Sequence, residues 1–334
     1  MSKLKKKFLI IGSNSFSGAS FIDFILSKKY EVIGVSRSNE LKKEFLLYKT
    51  NRNIKFFKFY KIDINKIKDR NNLYKIIKKS KPDYIINYSA QGMVAQSWIH
   101  PEDWYTTNLV SQSILYKNLI RFKFIKKIIH VTTPEVYGSN NRVIKENFNF
   151  KPSTPYAVSR AAMDYHLMNF QKNYDLPIIF TRTANIFGPG QQLYRIIPKT
   201  FMCAKKKIKL NLHGGGKSIR SFIYMDDASR ATFLILTKGK VGNTYHISTS
   251  SFLSIKSIVK KISNLENVKF QNLSKSEKDR IGKDHSYKLN STKLKKLGWR
   301  PEISLEQGLI YTKKWIEKNL QFFRKQQLIY KHKK

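Results

Sequence analysis

Apolar runs alternate with stretches of helical periodicity through the first half of the chain. The helical stretches cover residues 18–27, 71–80, 107–121 and 156–173. Strands that alternate with helices predict a doubly wound parallel α/β sheet with right-handed crossovers and a ligand crevice at the carboxyl ends of the strands. The strand-like runs are KFLIIG (7–12), EVIGVS (31–36), FKFYKID (57–63), DYIINYSA (83–90), KIIHVTT (127–133) and PIIFTRTANIFG (177–188).

The positive charge of the chain suggests two kinds of partner. The formal charge is +42, from 64 lysines and arginines against 22 acidic residues. A nucleic-acid partner is the first hypothesis for such a charge. The lysines are spread along the whole chain, however, and do not form a basic cluster, so we interpret them as solvated faces and expect no nucleic-acid partner. The same surface would attract an anionic small molecule.

The sequence has few signs of a membrane segment, a disulfide or a metal site. It contains no apolar run of about 18 residues, so we expect no transmembrane helix. The early run FLII is too short for a signal peptide and fits a first strand. The single cysteine, Cys203, excludes an internal disulfide, and the histidines lack metal-ligand spacing. We therefore expect no metal and a cytoplasmic location.

The segment GSNSFSG (12–18) follows the first strand and opens a helix. In a dinucleotide-binding fold this turn passes under the pyrophosphate, which contacts backbone N–H groups at the helix N-terminus. The usual pattern has three glycines, and Ser15 takes the place of the middle one. We predict that Gly12, Ser15, Phe16 and Gly18 contact a nicotinamide cofactor.

The ends of the next strands bear on the choice of cofactor. NAD-binding chains usually carry an acidic residue after the second strand, but this chain has Ser36 and Arg37. A basic, hydroxyl-bearing end suits a 2′-phosphate and therefore favours NADP over NAD. Asp63 ends the third strand and would reach the adenine. Ile64 and Ser89 complete the predicted cofactor set.

Two motifs carry candidate acid–base groups. TTPEVYG (132–138) places Thr133 and Glu135 at the end of a strand that should point into the crevice. STPYAVSRAAMDYH (153–166) predicts a helix, capped by Ser153 or Thr154, that carries Tyr156 and Arg160 on one face.

Taken together, these segments resemble the extended short-chain dehydrogenase/reductase family, and in particular its nucleotide-sugar 4,6-dehydratases. The resemblance covers nearly the whole chain and implies a Rossmann-type domain over residues 1–188. It further implies a mainly substrate-binding lobe over 189–325, with some return to the first domain, and then a basic tail over 326–334. The other matching segments are INYSAQGMVAQSWIHPEDWYTTN (86–108), RTANIFGPGQQLYRIIP (182–198), HGGGKSIRSFIYMDD (213–227), DRIGKDHSYKL (279–289) and LGWRPEISLEQGL (297–309).

The resemblance also implies a mechanism. Tyr156 would remove the proton from O4 of the sugar, Thr133 would hydrogen-bond O4, and Glu135 would take the C5 proton and assist loss of water from C6. The product would be a 4-keto-6-deoxy sugar for surface polysaccharide synthesis. Arg160 would stand where the family has a lysine that binds the cofactor ribose and lowers the pKa of the tyrosine. The residues that would contact the nucleotide-diphosphate sugar are Gln91, Asn185, Arg195, Arg220 and Arg280.

The chain departs from the family pattern at three of these positions, which are Ser15, Pro134 and Arg160. An aspartate occupies the position of Pro134 in the dTDP-glucose enzymes. Two alternatives therefore stay open beside the dehydratase, a nucleotide-sugar 4-epimerase and a catalytically silent NAD(P)-binding protein. The base, the hexose and the oligomeric state stay open too, although the resemblance favours a homodimer.

Overall fold

The structure is a computed structural model, and it describes residues 6–279, 282 and 284–332. The strands are β1 Lys7–Ile11, β2 Glu31–Ser36, β3 Phe57–Lys61, β4 Tyr84–Asn87, β5 Lys127–Thr132, β6 Val143–Ile144, β7 Ile178–Thr183, β8 Asn185–Phe187, β9 Leu210–His213, β10 Ile219–Arg220, β11 Phe222–Tyr224, β12 Thr244–Ile247, β13 Leu253–Ser254, β14 Ser274–Glu277 and β15 Lys288–Leu289. The helices are α1 Phe16–Ser27, α2 Ile67–Ser80, α3 Pro101–Tyr105, α4 Ser111–Leu119, α5 Pro155–Tyr174, α6 Ile196–Lys206, α7 Met225–Lys238, α8 Ile255–Leu265, α9 Phe270–Leu273, α10 Thr292–Lys296, α11 Leu305–Lys318 and α12 Leu320–Arg324.

Seven parallel strands form the central sheet in the order β12-β7-β5-β4-β1-β2-β3. The order reverses between β1 and β4, so the turns after these two strands diverge and leave a crevice at the carboxyl edge. The predicted doubly wound parallel α/β fold is confirmed.

Helices cover both faces of the sheet, as a parallel sheet requires. On one face α1 and α7 pack with Phe21, Ile25 and Ile235 fully buried, and on the other α2, α4 and α5 bury Leu73, Leu115 and others. Because both faces are buried, the strands read as continuous apolar runs such as FLII in β1.

A smaller lobe with its own core lies beside the sheet. Its apolar cluster joins residues of α6, α8 and α11, including Phe201, Ile258 and Ile316. Paired short strands connect the segments, and β6 with β15 places residues 288–289 beside 143–144. That pairing brings the segment after residue 282 next to the loop that follows β5. Within the described part of the chain, every helix is too short or too polar to span a membrane.

Candidate active site

A cleft at the carboxyl edge of β1, β2, β3 and β4 encloses about 570 Å³ of space, part of it open to solvent. Gln91, which we predicted on the substrate side, also lines this cleft. The cleft therefore gathers most of the predicted cofactor set around one volume. Those predicted cofactor residues are Gly12, Ser15, Ser36, Arg37, Asp63, Ile64 and Ser89.

The turn after β1 is shaped for close approach of a ligand. Gly12 has φ +85°, and a Cβ there would lie 2.7 Å from the backbone nitrogen of Ser89. A Cβ at Gly18 would lie 2.5 Å from the carbonyl oxygen of Gly12. A side chain at either position would clash with backbone atoms, so both positions require glycine.

Ser15 fits where the family has glycine because its backbone is extended, with φ −70° and ψ 153°. Its hydroxyl accepts a hydrogen bond from the N–H of Gly18 at 3.0 Å and donates one to the carbonyl of Gly12 at 2.7 Å. Ser15 is therefore the N-cap of α1. The first N–H groups of α1 and the positive end of its dipole lie at the cleft, where a pyrophosphate would bind.

Phe16 contributes through its backbone alone. Its side chain is 9% exposed and packs in the core of the smaller lobe with Phe187 and Met225. The predicted cofactor contact of Phe16 thus reduces to the N–H group at the start of α1.

Asn108 is a structural residue of the site that the sequence analysis missed. It is fully buried on a π-helical turn, Thr106–Val110, between α3 and α4. Its amide accepts from the N–H of Gln91 at 2.8 Å and donates to the hydroxyl of Ser159 at 3.0 Å, so it ties the loop after β4 to α5. Such π-turns occur often at functional sites. Helical periodicity alone gives no signal for it.

The strand end after β5 and the start of α5 bring the predicted acid–base residues together. Thr133 caps a 3₁₀ turn, Pro134–Tyr137, where its hydroxyl accepts from the N–H of Glu135 at 3.3 Å and lies near the Tyr156 side chain. Thr154 is the N-cap of α5 and accepts from the N–H of Ala157 at 3.1 Å. The 3₁₀ turn begins with Pro134 and α5 begins with Pro155. Proline suits the first helical position, where its missing N–H is not needed.

Glu135 has an altered acidity. Burial and the nearby carboxylate of Asp284 raise the pKa of Glu135 to about 7, although Arg220 and Arg195 act in the opposite direction. A carboxyl group that titrates near neutral pH can both accept and return a proton. Glu135 also affects the pKa of Tyr156, so the carboxyl and the phenol lie in one site.

Arg160 lies beneath Tyr156. Burial raises the pKa of Tyr156, and the positive charge of Arg160 is the largest effect that lowers it. Arg160 is 1% exposed and donates from Nη2 to the carbonyl oxygen of Val131 in β5. Among the described residues, its Nε and Nη1 have no hydrogen-bond partner. A buried guanidinium with two unused donors under the cleft fits a ligand bearing hydroxyl groups, such as a ribose.

A buried polar cluster lies within the electrostatic field of Arg160. Asp164, one turn later on α5, accepts from Arg182 Nη2 at 2.8 Å and from Thr132 at 3.2 Å. Arg182 also donates to the Tyr137 hydroxyl at 2.8 Å. Arg182 thus forms an ion pair with a buried carboxylate. Burial raises the pKa of Asp164, and the charges of Arg182 and Arg160 act to lower it. The sequence analysis named neither Asp164 nor Arg182 as part of the site, because an acid and a base 18 residues apart carry no motif.

Three predicted sugar-side residues lie around Glu135. Arg220 stacks on the ring of Tyr287 at 4.2 Å and donates to the carbonyl of Asp284 at 2.8 Å. The Tyr287 hydroxyl donates to Asn185 Oδ1 at 2.9 Å, and Arg195 lies at the N-cap of α6. Tyr287 is a further residue that the sequence analysis did not single out. The predicted contact Arg280 lies outside the described residues.

Comparisons with known proteins identify the family of the chain. The family model described as GDP-mannose 4,6 dehydratase matches residues 9–312. The chain belongs to this family. The matched range covers both acid–base motifs and the central sheet, apart from the first two residues of β1.

Within the GDP-mannose 4,6-dehydratase family, similar sequences are named for dTDP-glucose. The dTDP-D-glucose 4,6-dehydratase of Dictyostelium discoideum is 31% identical over 370 residues, which cover 95% of this chain and 83% of the relative. The dTDP-glucose 4,6-dehydratase of Haemophilus influenzae is 29% identical and covers 92% of this chain and 96% of the relative.

Solved structures are similar over nearly their full length. The dTDP-glucose 4,6-dehydratase of Streptomyces venezuelae with NAD bound has a TM-score of 0.87 at 26% identity, over 95% of this chain and 98% of that one. The UDP-glucose 4-epimerase of Thermotoga maritima has a TM-score of 0.84 at 26% identity, over 94% and 99%. These findings confirm the predicted family, the Rossmann-type fold and the predicted class of activity, a nicotinamide-dependent nucleotide-sugar 4,6-dehydratase.

Proposed function

We propose that this protein converts dTDP-glucose to its 4-keto-6-deoxy product. The observation that carries the proposal is Glu135, which lies in one site with Tyr156 and has a pKa of about 7. A dehydratase needs a carboxyl group that takes a proton from C5, whereas an epimerase needs only the tyrosine. The choice of dTDP-glucose rests on the names of the relatives in Dictyostelium and Haemophilus.

The roles of the residues follow from their contacts. Tyr156, which lies near Thr133, takes the proton from O4 as C4 is oxidised. The 4-keto group acidifies the proton at C5, which passes to Glu135, and the C6 hydroxyl leaves with a proton as water. A nicotinamide cofactor bound in the cleft lined by Gly12, Ser36 and Ser89 would supply the hydride acceptor for C4 and the hydride donor for C6, and C5 takes back a proton, equivalent to the one removed from O4, as C6 is reduced. Because Pro134 has no acidic group, Glu135 supplies the proton to the leaving hydroxyl as well.

The cations around Glu135 fit the diphosphate of the substrate. Arg220 is held by carbonyl groups and by the Tyr287 ring, so its direction is set before a ligand arrives. Arginine pairs bidentately with phosphate oxygens. Asn185 accepts from the same Tyr287 on which Arg220 stacks, Arg195 acts on Glu135 through its charge, and Gln91 lines the cofactor cleft.

We propose NAD as the cofactor. The support is the structure of the Streptomyces venezuelae relative with NAD bound, whereas the expectation of NADP rested on Ser36 and Arg37 alone. Equilibrium titration with NAD and NADP, followed by quenching of tryptophan fluorescence, tests the choice. Tighter binding of NADP, abolished by Arg37→Ala, would show that the guanidinium reads a 2′-phosphate.

We further propose a homodimer, formed by α3, α4 and α5. Apolar side chains stand exposed on α5 and on the π-turn between α3 and α4, among them Val110 at 52% on the turn and Tyr165 at 44% on α5. Clusters of exposed apolar groups mark association surfaces. Light scattering should give twice the chain mass for the native protein, and Val110→Lys should give single chains. A native protein that runs as a single chain would count against the dimer.

The cytoplasmic location and the role in surface polysaccharide synthesis stay predictions. Both follow from the chemistry of the proposed substrate, a charged nucleotide sugar. Fluorescence of a tagged chain in its host would test the location, and loss of a deoxysugar from surface glycans after deletion would test the role.

The decisive experiment is mass spectrometry of nucleotide hexoses incubated with the purified protein and NAD. We expect dTDP-glucose to lose one water, while GDP-mannose, UDP-GlcNAc and CDP-glucose stay unchanged. Loss of water from one of the others would keep the reaction and change the substrate. An unchanged mass with a new sugar isomer by chromatography would favour the 4-epimerase instead, and cofactor binding without any conversion would favour a silent binding protein.

A further inference from the structure

The described chain ends in a segment without regular secondary structure that runs from the smaller lobe to the large domain. We call residues 326–332 the strap. At its start, Lys206 Nζ donates to the carbonyl of Gln326 at 3.4 Å, and Leu328 packs against the core of the smaller lobe. Ile329 is 74% exposed, whereas its neighbours Leu328 and Tyr330 are partly buried. Alternate residues thus face the protein.

The far end of the strap is fixed on α3. His332 Nε2 lies 2.6 Å from Asp103 Oδ2. Its ring stacks on Trp104 at 5.0 Å and 14°, and on His100 at 5.3 Å and 10°. A hydrogen bond and two stacked rings give His332 a defined position on the large domain.

Between these two anchors, Tyr330 lies against the substrate loop. Its ring meets the edge of Tyr194 at 5.3 Å, and the guanidinium of Arg195 lies 5.5 Å from the same Tyr194 ring. Burial raises the pKa of Tyr330, while Arg37 and Arg195 act to lower it. Tyr330 therefore packs beside the segment that carries Arg195, and the charge of Arg37, which lines the cofactor cleft, acts on its hydroxyl.

We propose that Tyr330 is a further binding residue of the active site, held by His332 across the mouth of the crevice, where its ring covers the bound dinucleotide and slows its release. The inference rests on the proposed function, in which the cofactor is restored in each cycle and has no need to leave. Aromatic side chains on ribose and base provide contact area at little entropic cost.

The test measures release of NADH. Protein loaded with NADH is mixed rapidly with excess NAD, and the fall of NADH fluorescence gives the dissociation rate. Tyr330→Ala should release NADH about 3- to 10-fold faster, the range that one aromatic contact provides. Tyr330→Phe should release it at the native rate, because the ring makes the contact. His332→Ala should also release NADH faster than the native protein. The double variant should release NADH no faster than Tyr330→Ala alone.

Ile329→Ala is the matched control, since it lies in the same segment with its side chain in solvent. It should release NADH at the native rate, and all variants should melt at the native temperature. A native rate in Tyr330→Ala, or an equal acceleration in Ile329→Ala, would overturn the role of Tyr330.

The two proposals fail separately. If the native protein converts dTDP-glucose and Tyr330→Ala releases NADH at the native rate, the proposed role of the strap is wrong and the proposed function stands. If Tyr330→Ala releases NADH faster but the native protein converts no nucleotide sugar, the proposed function is wrong and the proposed role of the strap stands. A native chain that binds no dinucleotide would overturn both.

Discussion

Glu135 is held in a position where ionisation is unfavourable. Burial and Asp284 raise its pKa, and the two arginines on the sugar side only partly offset that rise. The unfolded chain has an ordinary glutamate there, with a pKa near 4.5. Because the folded protein binds the proton more tightly, Glu135 lowers the free energy of unfolding as pH rises from about 4.5 to 7.

Glu135→Gln should therefore remove dehydration and stabilise the fold at alkaline pH. At about pH 8 the native side chain is ionised in the folded state and the amide is not, so the variant should melt at a higher temperature. At about pH 4 both side chains are neutral in the folded state, and the two melting temperatures should agree. Calorimetry at the two pH values measures the effect, and an equal shift at both would show that the charge is not its cause.

The same group sets the pH dependence of the native reaction. Glu135 must begin the elimination as a carboxylate, so the rate of water loss should rise through about pH 7 as the carboxyl ionises. Mass spectrometry of initial rates between about pH 5.5 and about 8.5 gives the profile. A rate that is flat over this interval would separate Glu135 from the proton transfer.

Arg160 supports the tyrosine through its charge. Its Nη2 is engaged by the carbonyl of Val131, yet its field still lowers the pKa of Tyr156. Arg160→Met should lower turnover by about 100-fold or more, since the phenol loses the cation that stabilises its charged form. Arg160→Lys keeps the charge and is the matched variant. Its turnover should stay well above that of Arg160→Met, and equal losses would show that shape outweighs charge.

At the scale of elements, the N-cap of α1 joins folding to cofactor binding. The Ser15 hydroxyl closes the turn between Gly12 and Gly18, and the helix N-terminus above it faces the cleft. Removing a capping hydroxyl costs about 1 kcal/mol of stability, and glycine at the same position only a few tenths.

Ser15→Ala should lower the free energy of unfolding by about 1 kcal/mol and weaken NAD binding, because the turn loses its internal bonds. Ser15→Gly restores the usual family residue and is the matched comparison. Urea denaturation and NAD titration of both variants measure the two effects. An alanine variant as stable as the native chain would show that the turn is held by the glycines alone.

Much at this scale was predictable, because regular strands and helices carry periodic patterns. The run EVIGVS coincides with β2, and the stretch at 156–173 lies within Pro155–Tyr174. The predicted helix at 107–121 begins instead as α3 at Pro101 and passes through a π-turn before α4. Its irregular part comes from the buried contacts of Asn108, which are long-range and leave no periodic trace.

At the scale of the whole molecule, a buried polar cluster lies between the sheet and α5. Asp164 and Arg182 are both fully buried, and His246, whose pKa burial lowers to about 3, accepts or donates at Tyr137 as a neutral ring. The cluster joins β5, β7, β12 and α5. Its partners come from distant parts of the chain, which is why the acid–base motifs were predictable and their support was not.

Asp164→Asn should lower the free energy of unfolding by about 3–5 kcal/mol, because it leaves the buried guanidinium of Arg182 without its ion-pair partner. Asp175→Asn is the matched control, since Asp175 is exposed at the end of the same helix with φ +52°, a conformation that asparagine tolerates. Urea denaturation compares the variants. A small loss in Asp164→Asn would mean that water solvates the guanidinium in place of the carboxylate.

Arg160, Arg182 and Asp164 together leave one surplus positive charge enclosed beneath the crevice. A lysine in the place of Arg160 would release its proton in strong alkali and take that charge away, but a guanidinium does not. The protein therefore keeps a permanent positive charge near Tyr156. As a consequence, the alkaline limit of turnover should be set by unfolding, so this enzyme should tolerate more basic surroundings than its Arg160→Lys variant.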